Sequence, residues 1–292
     1  MTNMHGNFFP HHGLHYEMNR ALVIGNGESR KWFCPSHQTI MSPVVTWGCN
    51  AIFRDGYVDV LVSVDYSMQQ EIYDSGYTLI RGRNFRIPPQ QSVCHFSNWN
   101  IVPAEAVEIM FMGFDIPKEL IHYSKKRTDN CVIQGKDPNT LQEKVKAAIE
   151  MNPQLDIPDL VQKMEKDVGV WITYVEKDDN VVPIDFPVGW SAGNTALHLV
   201  CQGDVDEVFI LGYDLSSYDE DLNNIYKGTD NYLPVTAKGF SSVNWMNQMT
   251  AVFNEFSDKQ FYWVDRQFDE KLYFDNVRDL TKTELCDTLN IL

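Results

Sequence analysis

The chain has 292 residues, of which 43% are apolar and 12% aromatic, a composition typical of a globular protein with a large buried core. Its formal net charge of −16 argues against non-specific nucleic-acid binding, because an acidic surface repels a phosphate backbone. The apolar runs are too short to cross a bilayer, and residues 1–20 lack a secretion-signal pattern. We therefore expect a cytoplasmic protein with no membrane span, beginning with a tail at 1–20.

Short apolar runs, separated by helical or turn-like segments, predict seven strands. Their near-continuous hydrophobicity favours strands that are covered on both faces, as in a doubly wound, mostly parallel, Rossmann-like α/β fold. We expect one such domain over 21–292. The predicted strands are Ala21–Gly25, Val44–Gly48, Val58–Val64, Val107–Met112, Trp171–Val175, Val208–Leu211 and Phe261–Val264.

Two segments between these strands have a different composition. Residues 135–168 are rich in Leu, Lys, Glu and Gln, and their apolar spacing predicts two helices joined by a turn at Asn152 and Pro153, inserted between sheet elements. Residues 215–240 are polar and contain Tyr226 and Tyr232. Because long loops in compact domains tend to be functional, we interpret this second segment as a polar lid loop.

The first strand runs into a glycine turn formed by Gly25, Asn26 and Gly27. The third glycine of a dinucleotide fingerprint is replaced by Arg30, which argues against a standard NAD or FAD site, and no P-loop motif occurs. The glycines nevertheless allow close approach of a ligand, and Ser29 is placed to cap a following helix. Free N–H groups at such a turn suit a phosphate or a ribose.

Further polar residues follow the other predicted strands. Asn50 and Asp65 follow the second and third strands, and Asp214 follows the strand at 208–211. Ser191 is a natural helix N-cap, with Gly193 and Asn194 in the first turn, where backbone donors attract anions. The pattern predicts two phosphate-binding turns at one switch point of the sheet.

The order of these motifs resembles that of the family 42 sialyltransferases. The shared features are GNG-x-S, CN-x-x-[FY], a strand ending in an acid, S-x-G before a helix, and [LI]-x-G-x-D. They are equally similar to a related domain of unknown function that includes archaeal diphosphokinases of the hydroxymethylpterin type. The resemblance implies nucleotide binding by Gly25, Asn26, Gly27, Ser29, Asn50, Ser191, Gly193 and Asn194, with Tyr226 and Tyr232 on the phosphate and Asp65 as a further binding residue.

Three hypotheses follow from the resemblance. The favoured one is inverting transfer from a nucleotide-activated sugar to a small-molecule or glycan acceptor, with no cofactor and, by analogy, a homo-oligomeric enzyme. The family histidine has no counterpart in the segment after Asp214, so Asp214 itself is the candidate base. The alternatives are an ATP-dependent diphosphokinase, with Mg²⁺ held by Asp65 and Asp214, and a non-catalytic nucleotide- or sugar-binding protein.

Overall fold

The structure is a computed structural model. It describes 19–35, 44–80, 93–97, 180–184, 191–215, 220–239, 242–266 and 274–291, together with the strand backbones at 101–103, 121–123, 130–136 and 169–175. The chain divides into two compact units, one formed by 1–97 with 180–292 and the other by 98–179. The expectation of one domain over 21–292 stays a prediction.

Twelve strands and four α-helices lie in the described residues. The strands are β1 Arg20–Ile24, β2 Val44–Cys49, β3 Val60–Ser63, β4 Cys94–Ser97, β5 Ile101–Pro103, β6 Ile121–Tyr123, β7 Asn130–Lys136, β8 Gly169–Val175, β9 Val181–Ile184, β10 Glu207–Leu211, β11 Gln260–Val264 and β12 Val277–Leu280. The helices are α1 Tyr66–Asp74, α2 Ala192–Cys201, α3 Val243–Glu255 and α4 Lys282–Leu289.

The first unit contains an eight-stranded sheet in the order β12-β11-β10-β1-β2-β3-β4-β9, in which every neighbouring pair is parallel. The chain winds outward from β1 through β2, β3, β4 and β9, and then resumes with β10 on the other side of β1. The prediction of a doubly wound α/β fold is confirmed. The switch point lies between β1 and β10, where open α/β sheets form a crevice at the carboxyl ends of the strands.

The sheet is covered on both faces because alternate residues of its central strands belong to different apolar clusters. Ala21 and Val23 of β1 lie in the cluster that includes residues of α2 and α3. Leu22 and Ile24 lie in the cluster that includes residues of α1 and α4. All four residues are fully buried. This two-sided burial explains the continuous hydrophobicity of the central strands.

Several predicted elements differ from those observed. The glycine turn leads into a short 3-10 turn, Glu28–Arg30, and not into the expected helix that Ser29 would cap. The predicted strand at 107–112, the tail at 1–18 and most of the insertion at 135–168 fall outside the described residues. The first two residues of that insertion belong to β7, a strand of the second unit.

The second unit contains a four-stranded sheet in the order β5-β7-β8-β6. The β5–β7 and β7–β8 pairs are antiparallel, while β6 pairs with β8 in parallel. The strand predicted at 171–175 is part of β8 and so belongs to this sheet. In the described part of the chain, no helix has both the length and the hydrophobicity to span a membrane.

Candidate functional site at the carboxyl edge of the sheet

The glycine turn after β1 packs tightly against the chain that leaves β10. The Gly25 amide donates to the Leu211 carbonyl at 2.7 Å, and the Gly27 amide donates to the Gly212 carbonyl at 2.9 Å. A Cβ on Gly25 would lie only 2.4 Å from the Gly212 oxygen. These glycines therefore allow two backbone segments to meet at the switch point.

Asp214 organises the residues that follow the glycine turn. Its carboxylate accepts from the Ser29 amide at 2.8 Å and from the Ser29 hydroxyl, and its side chain is buried. The neighbouring Glu28 amide donates to the side-chain oxygen of Asn223 at 2.8 Å. The amides of Gly25, Gly27, Glu28 and Ser29 thus all donate to acceptors within the protein. The glycine turn has a structural role in this arrangement, and so does Asp214.

Arg30, at the position of the missing third glycine, is 1% exposed and lies beneath the turn. Its Nε donates to the Gly25 carbonyl at 2.5 Å, and its terminal nitrogens reach the Tyr226 hydroxyl at 2.7 Å and the Asp55 carboxylate at 3.2 Å. The guanidinium also contacts the ring of Tyr226, with its carbon 5.5 Å from the ring centroid. Arg30 therefore joins the glycine turn to the segments after β2 and β10.

Residues 220–239, which form what we call the tyrosine loop, attach to this edge through polar contacts. Lys227 forms an ion pair with Glu28 at 2.7 Å, and the Ile225 amide donates to the Asn26 carbonyl at 2.9 Å. Arg54 binds Glu71 through two nitrogens, at 2.7 and 2.6 Å, and also donates to the Thr229 hydroxyl at 2.7 Å. The tyrosine loop is thereby fixed against the 3-10 turns that follow β1 and β2.

The two candidate tyrosines have different environments. Tyr226 is buried, accepts from Arg30 and donates its own proton to Asp55 at 2.6 Å. Tyr232 is half-buried. Its hydroxyl accepts from the side-chain amide of Asn26 at 3.2 Å and from the backbone amide of Ala51 at 3.4 Å. Burial raises the pKa of both phenols, so both stay protonated at neutral pH. No described residue accepts the Tyr232 proton.

Asn50, Ser63 and Asp65 form a polar group at the ends of β2 and β3. Asn50 has a φ of 51°, a left-handed conformation that asparagine tolerates well. Its side-chain oxygen accepts from the Ser63 hydroxyl at 3.2 Å, which directs its amide nitrogen towards Asp65, to whose carboxylate it donates. The sequence placed Asn50 and Asp65 at this edge, and the structure brings them into direct contact.

Asp65 is the N-cap residue of α1, but its side chain accepts no capping hydrogen bond. More than a third of its surface is exposed. The surrounding protein nevertheless removes enough water to raise the pKa of the Asp65 carboxyl, an effect that the hydrogen bond from Asn50 partly offsets. An accessible carboxylate with a raised pKa at the carboxyl end of a sheet is a typical feature of a functional site.

The first turn of α2 lies at the same edge. Its first residue, Ala192, packs with Cys49 and Val64, the residues that precede Asn50 and Asp65. Tyr213 links this turn to the glycine turn, because its hydroxyl donates to the Gly193 carbonyl at 2.6 Å and its ring would lie 2.8 Å from a Cβ on Gly25. The two turns predicted to bind phosphate thus share one rim of the sheet.

The residues of the α2 turn are not equally available. Ser191 accepts from the Asn194 amide at 3.1 Å and so caps the helix, as predicted. The Asn194 side chain is buried and donates to the Trp245 carbonyl at 3.0 Å and to Gln248 at 3.2 Å, which ties α2 to α3. Among the described residues, none accepts from the amides of Ala192 and Gly193, which are the donors of this turn without a described partner.

The described residues contain no group of three or more His, Cys, Asp or Glu side chains arranged to hold a metal ion. Asp65 and Asp214, the two predicted Mg²⁺ ligands, have different partners: Asn50 binds the first and Ser29 the second. The magnesium hypothesis thus has no described cluster in its support, and it stays a prediction.

Comparison with known proteins gives no match: no protein-family model fits the chain, and no curated protein or solved structure is detectably similar to it. The resemblance to the sialyltransferases and the diphosphokinases therefore rests on the quoted motifs alone. The fold and the carboxyl-edge site define a Rossmann-like α/β protein, and its activity is a matter for proposal.

Sequence reasoning missed three contributors to this edge. Arg30 appeared only as a departure from a fingerprint, and Asp55, with which it pairs, lies 25 positions further along the chain. Tyr213 appeared only as the variable residue before Asp214 in the [LI]-x-G-x-D motif. The replacement of a small residue by arginine in a tight turn was the one signal available, because a buried arginine requires a carboxylate partner.

Proposed function

We propose that this protein is an inverting transferase that uses a nucleotide-activated sugar as its donor. The observation that carries the proposal is the meeting of Asn50, Asp65, Tyr232 and the α2 turn at the carboxyl ends of β2 and β3, beside the switch point. Open parallel α/β sheets bind their ligands at the carboxyl ends of the strands, near the switch point. The order of the motifs also resembles that of the sialyltransferases.

In this proposal the donor phosphate binds at the α2 turn. The available amides of Ala192 and Gly193, at the positive end of the helix dipole, would donate to the phosphate oxygens. Tyr232 would donate its free proton to the same phosphate as charge develops on the leaving group. Asn26, whose side chain binds Tyr232, would hold that hydroxyl in place and would not itself touch the ligand.

Binding to nucleotides tests this proposal. We expect CMP or UDP, without a metal ion, to raise the melting temperature, because a ligand that prefers the folded state stabilises it by RT ln(1 + [L]/Kd), about 2.7 kcal/mol at one hundred times Kd. Tyr232→Phe removes the hydroxyl, and with it both the proton that would reach the phosphate and the acceptor for Asn26 and Ala51. It should weaken binding about 10-fold, since one hydrogen bond to a charged group is worth about 1.5 kcal/mol.

Tyr226→Phe is the matched control. Because the proton of Tyr226 is donated to Asp55, this change should lower stability but leave nucleotide affinity within about threefold of the wild-type value. A shift that requires both ATP and Mg²⁺ would favour the diphosphokinase hypothesis. The absence of any shift with CMP, UDP or ATP, with or without Mg²⁺, would contradict nucleotide use altogether.

A further inference from the structure

Asp65 and Asp214 are the two carboxylates at this edge that sequence reasoning connects with chemistry, and their surroundings differ. Asp214 is buried, accepts two hydrogen bonds from Ser29, and lies against the α-carbon of Gly27, where a Cβ would come within 2.5 Å of its carboxyl carbon. It has neither access to an acceptor hydroxyl nor room for one. Asp65 is accessible, and its partner at this edge is the neutral amide of Asn50.

We propose that Asp65 is the general base of the transfer, and that Asn50 positions it through their hydrogen bond. This inference rests on the proposed function. It is carried by geometry: Asp65 occupies an N-cap position without capping the helix, so its carboxylate is directed to Asn50 and to solvent. Asn50 is itself held by Ser63, which leaves its amide nitrogen one orientation in which to donate.

The proton transfer and the bond changes balance in one displacement. The acceptor hydroxyl oxygen forms a bond to the anomeric carbon of the donor, and its proton passes to an Asp65 carboxylate oxygen. The bond between the anomeric carbon and the phosphate oxygen breaks, and its electron pair leaves with the nucleoside phosphate. Asp65 then releases its proton to solvent. A carboxylate can do this work near neutral pH when its pKa lies above the usual range, as burial arranges here.

Two titratable groups that interact electrostatically with Asp65 do not complicate its ionisation. Cys49 precedes Asn50, and burial raises the pKa of its thiol to about 12. The phenol of Tyr232 in the tyrosine loop also has a raised pKa. Both groups are therefore neutral in the working range of a carboxylate base. Among the described residues, no cation forms an ion pair with Asp65.

The experiment measures nucleotide release from CMP-sialic acid and from UDP-N-acetylglucosamine, with lactose or water as the acceptor. Asp65→Asn is expected to lower kcat by about 10²- to 10⁴-fold, the usual contribution of a general base, and to leave the donor KM within about threefold. Asp74→Asn changes an exposed aspartate at the other end of α1 and should leave kcat unchanged.

Thermal unfolding separates loss of chemistry from loss of folding. Because burial disfavours the Asp65 carboxylate, Asp65→Asn should melt at the same temperature as the wild type or higher at pH 7. Asn50→Asp adds a like charge, which raises the pKa of Asp65, so the acid limb of the kcat/KM profile should move to higher pH. Aspartate also tolerates the left-handed backbone at this position.

The outcomes distinguish this inference from the function on which it rests. If the wild type releases nucleotide and Asp65→Asn does so at the same rate, the role of Asp65 is overturned while the transferase proposal stands. An acid limb that Asn50→Asp leaves in place would overturn the positioning role of Asn50. If the wild type releases nucleotide from neither donor, the proposed function fails and the inference fails with it.

Discussion

Replacement of Arg30 by methionine is expected to unfold the carboxyl edge at a lower temperature than in the wild type. Methionine keeps much of the apolar stem but removes the donors to the Gly25 carbonyl and the Tyr226 hydroxyl. Two buried hydrogen bonds from a charged donor, at about 1.5 kcal/mol each, give a loss of about 3 kcal/mol. The Asp55 ion pair adds little, because 29% of that carboxylate side chain is exposed.

Urea denaturation followed by tryptophan fluorescence would measure this loss, and calorimetry should show a melting temperature about 6 to 12 °C lower. Lys31→Met is the control, since 61% of that neighbouring side chain is exposed and its ion pair with Glu28 lies at the surface. If Arg30→Met loses less than about 1 kcal/mol, the guanidinium does not hold the turn together and our reasoning about the missing glycine is wrong.

Three further predictions concern buried groups of the first unit. Burial lowers the pKa of His95 to about 4, so stability should fall by up to about 3 kcal/mol as the pH drops from about 6.5 to 4, and His95→Phe should remove that part of the pH dependence in urea unfolding. Asn194→Ala should cost about 1 to 3 kcal/mol through its lost bonds to α3, yet leave CMP affinity within about threefold by calorimetric titration. Gly27→Ala should cost about 1 to 3 kcal/mol, because its Cβ would lie 2.5 Å from the Asp214 carboxyl carbon, whereas Gly193→Ala should stay within about 1 kcal/mol of the wild type.

Each of these predictions can fail in a specific way. The first prediction has this sign because His95 binds a proton more readily in the unfolded chain than in the folded protein. It would be contradicted if the free energy of unfolding changed with pH equally steeply in His95→Phe and in the wild type. A large loss of CMP affinity in Asn194→Ala would indicate that the Asn194 side chain contacts the ligand, and would contradict the second prediction. If Gly27→Ala and Gly193→Ala were equally stable, the contact with Asp214 would not be tight.

The central strands could be predicted from sequence because each is buried on both faces. β1, β2, β10 and β11 were expected within two residues of their observed ends. β4, with its polar histidine and serine, β9, with Pro183, and β12, which is largely exposed, lack a continuous apolar run. β4 pairs with β3 and β9, both distant from it in sequence, a non-local effect that a local pattern does not contain.

The candidate site shows the same division. Strand ends located Asn50 and Asp65, because the chain places polar residues where buried strands stop. The availability of each donor could not be predicted, since it depends on acceptors far along the chain. Glu28 donates to a residue 195 positions away, and the Asn194 side chain reaches α3 more than 50 positions further on. Glycine turns and helix N-termini look alike in sequence, and only tertiary contacts show which amides are already used.

A crystal structure of the protein with CMP bound would test the central claim most directly. We predict that the CMP phosphate lies at the α2 turn, within hydrogen-bonding distance of the Ala192 and Gly193 amides and of the Tyr232 hydroxyl, with Asp65 facing the open side of the ligand. CMP bound at another surface, or the absence of CMP from this edge at saturating concentration, would contradict the account.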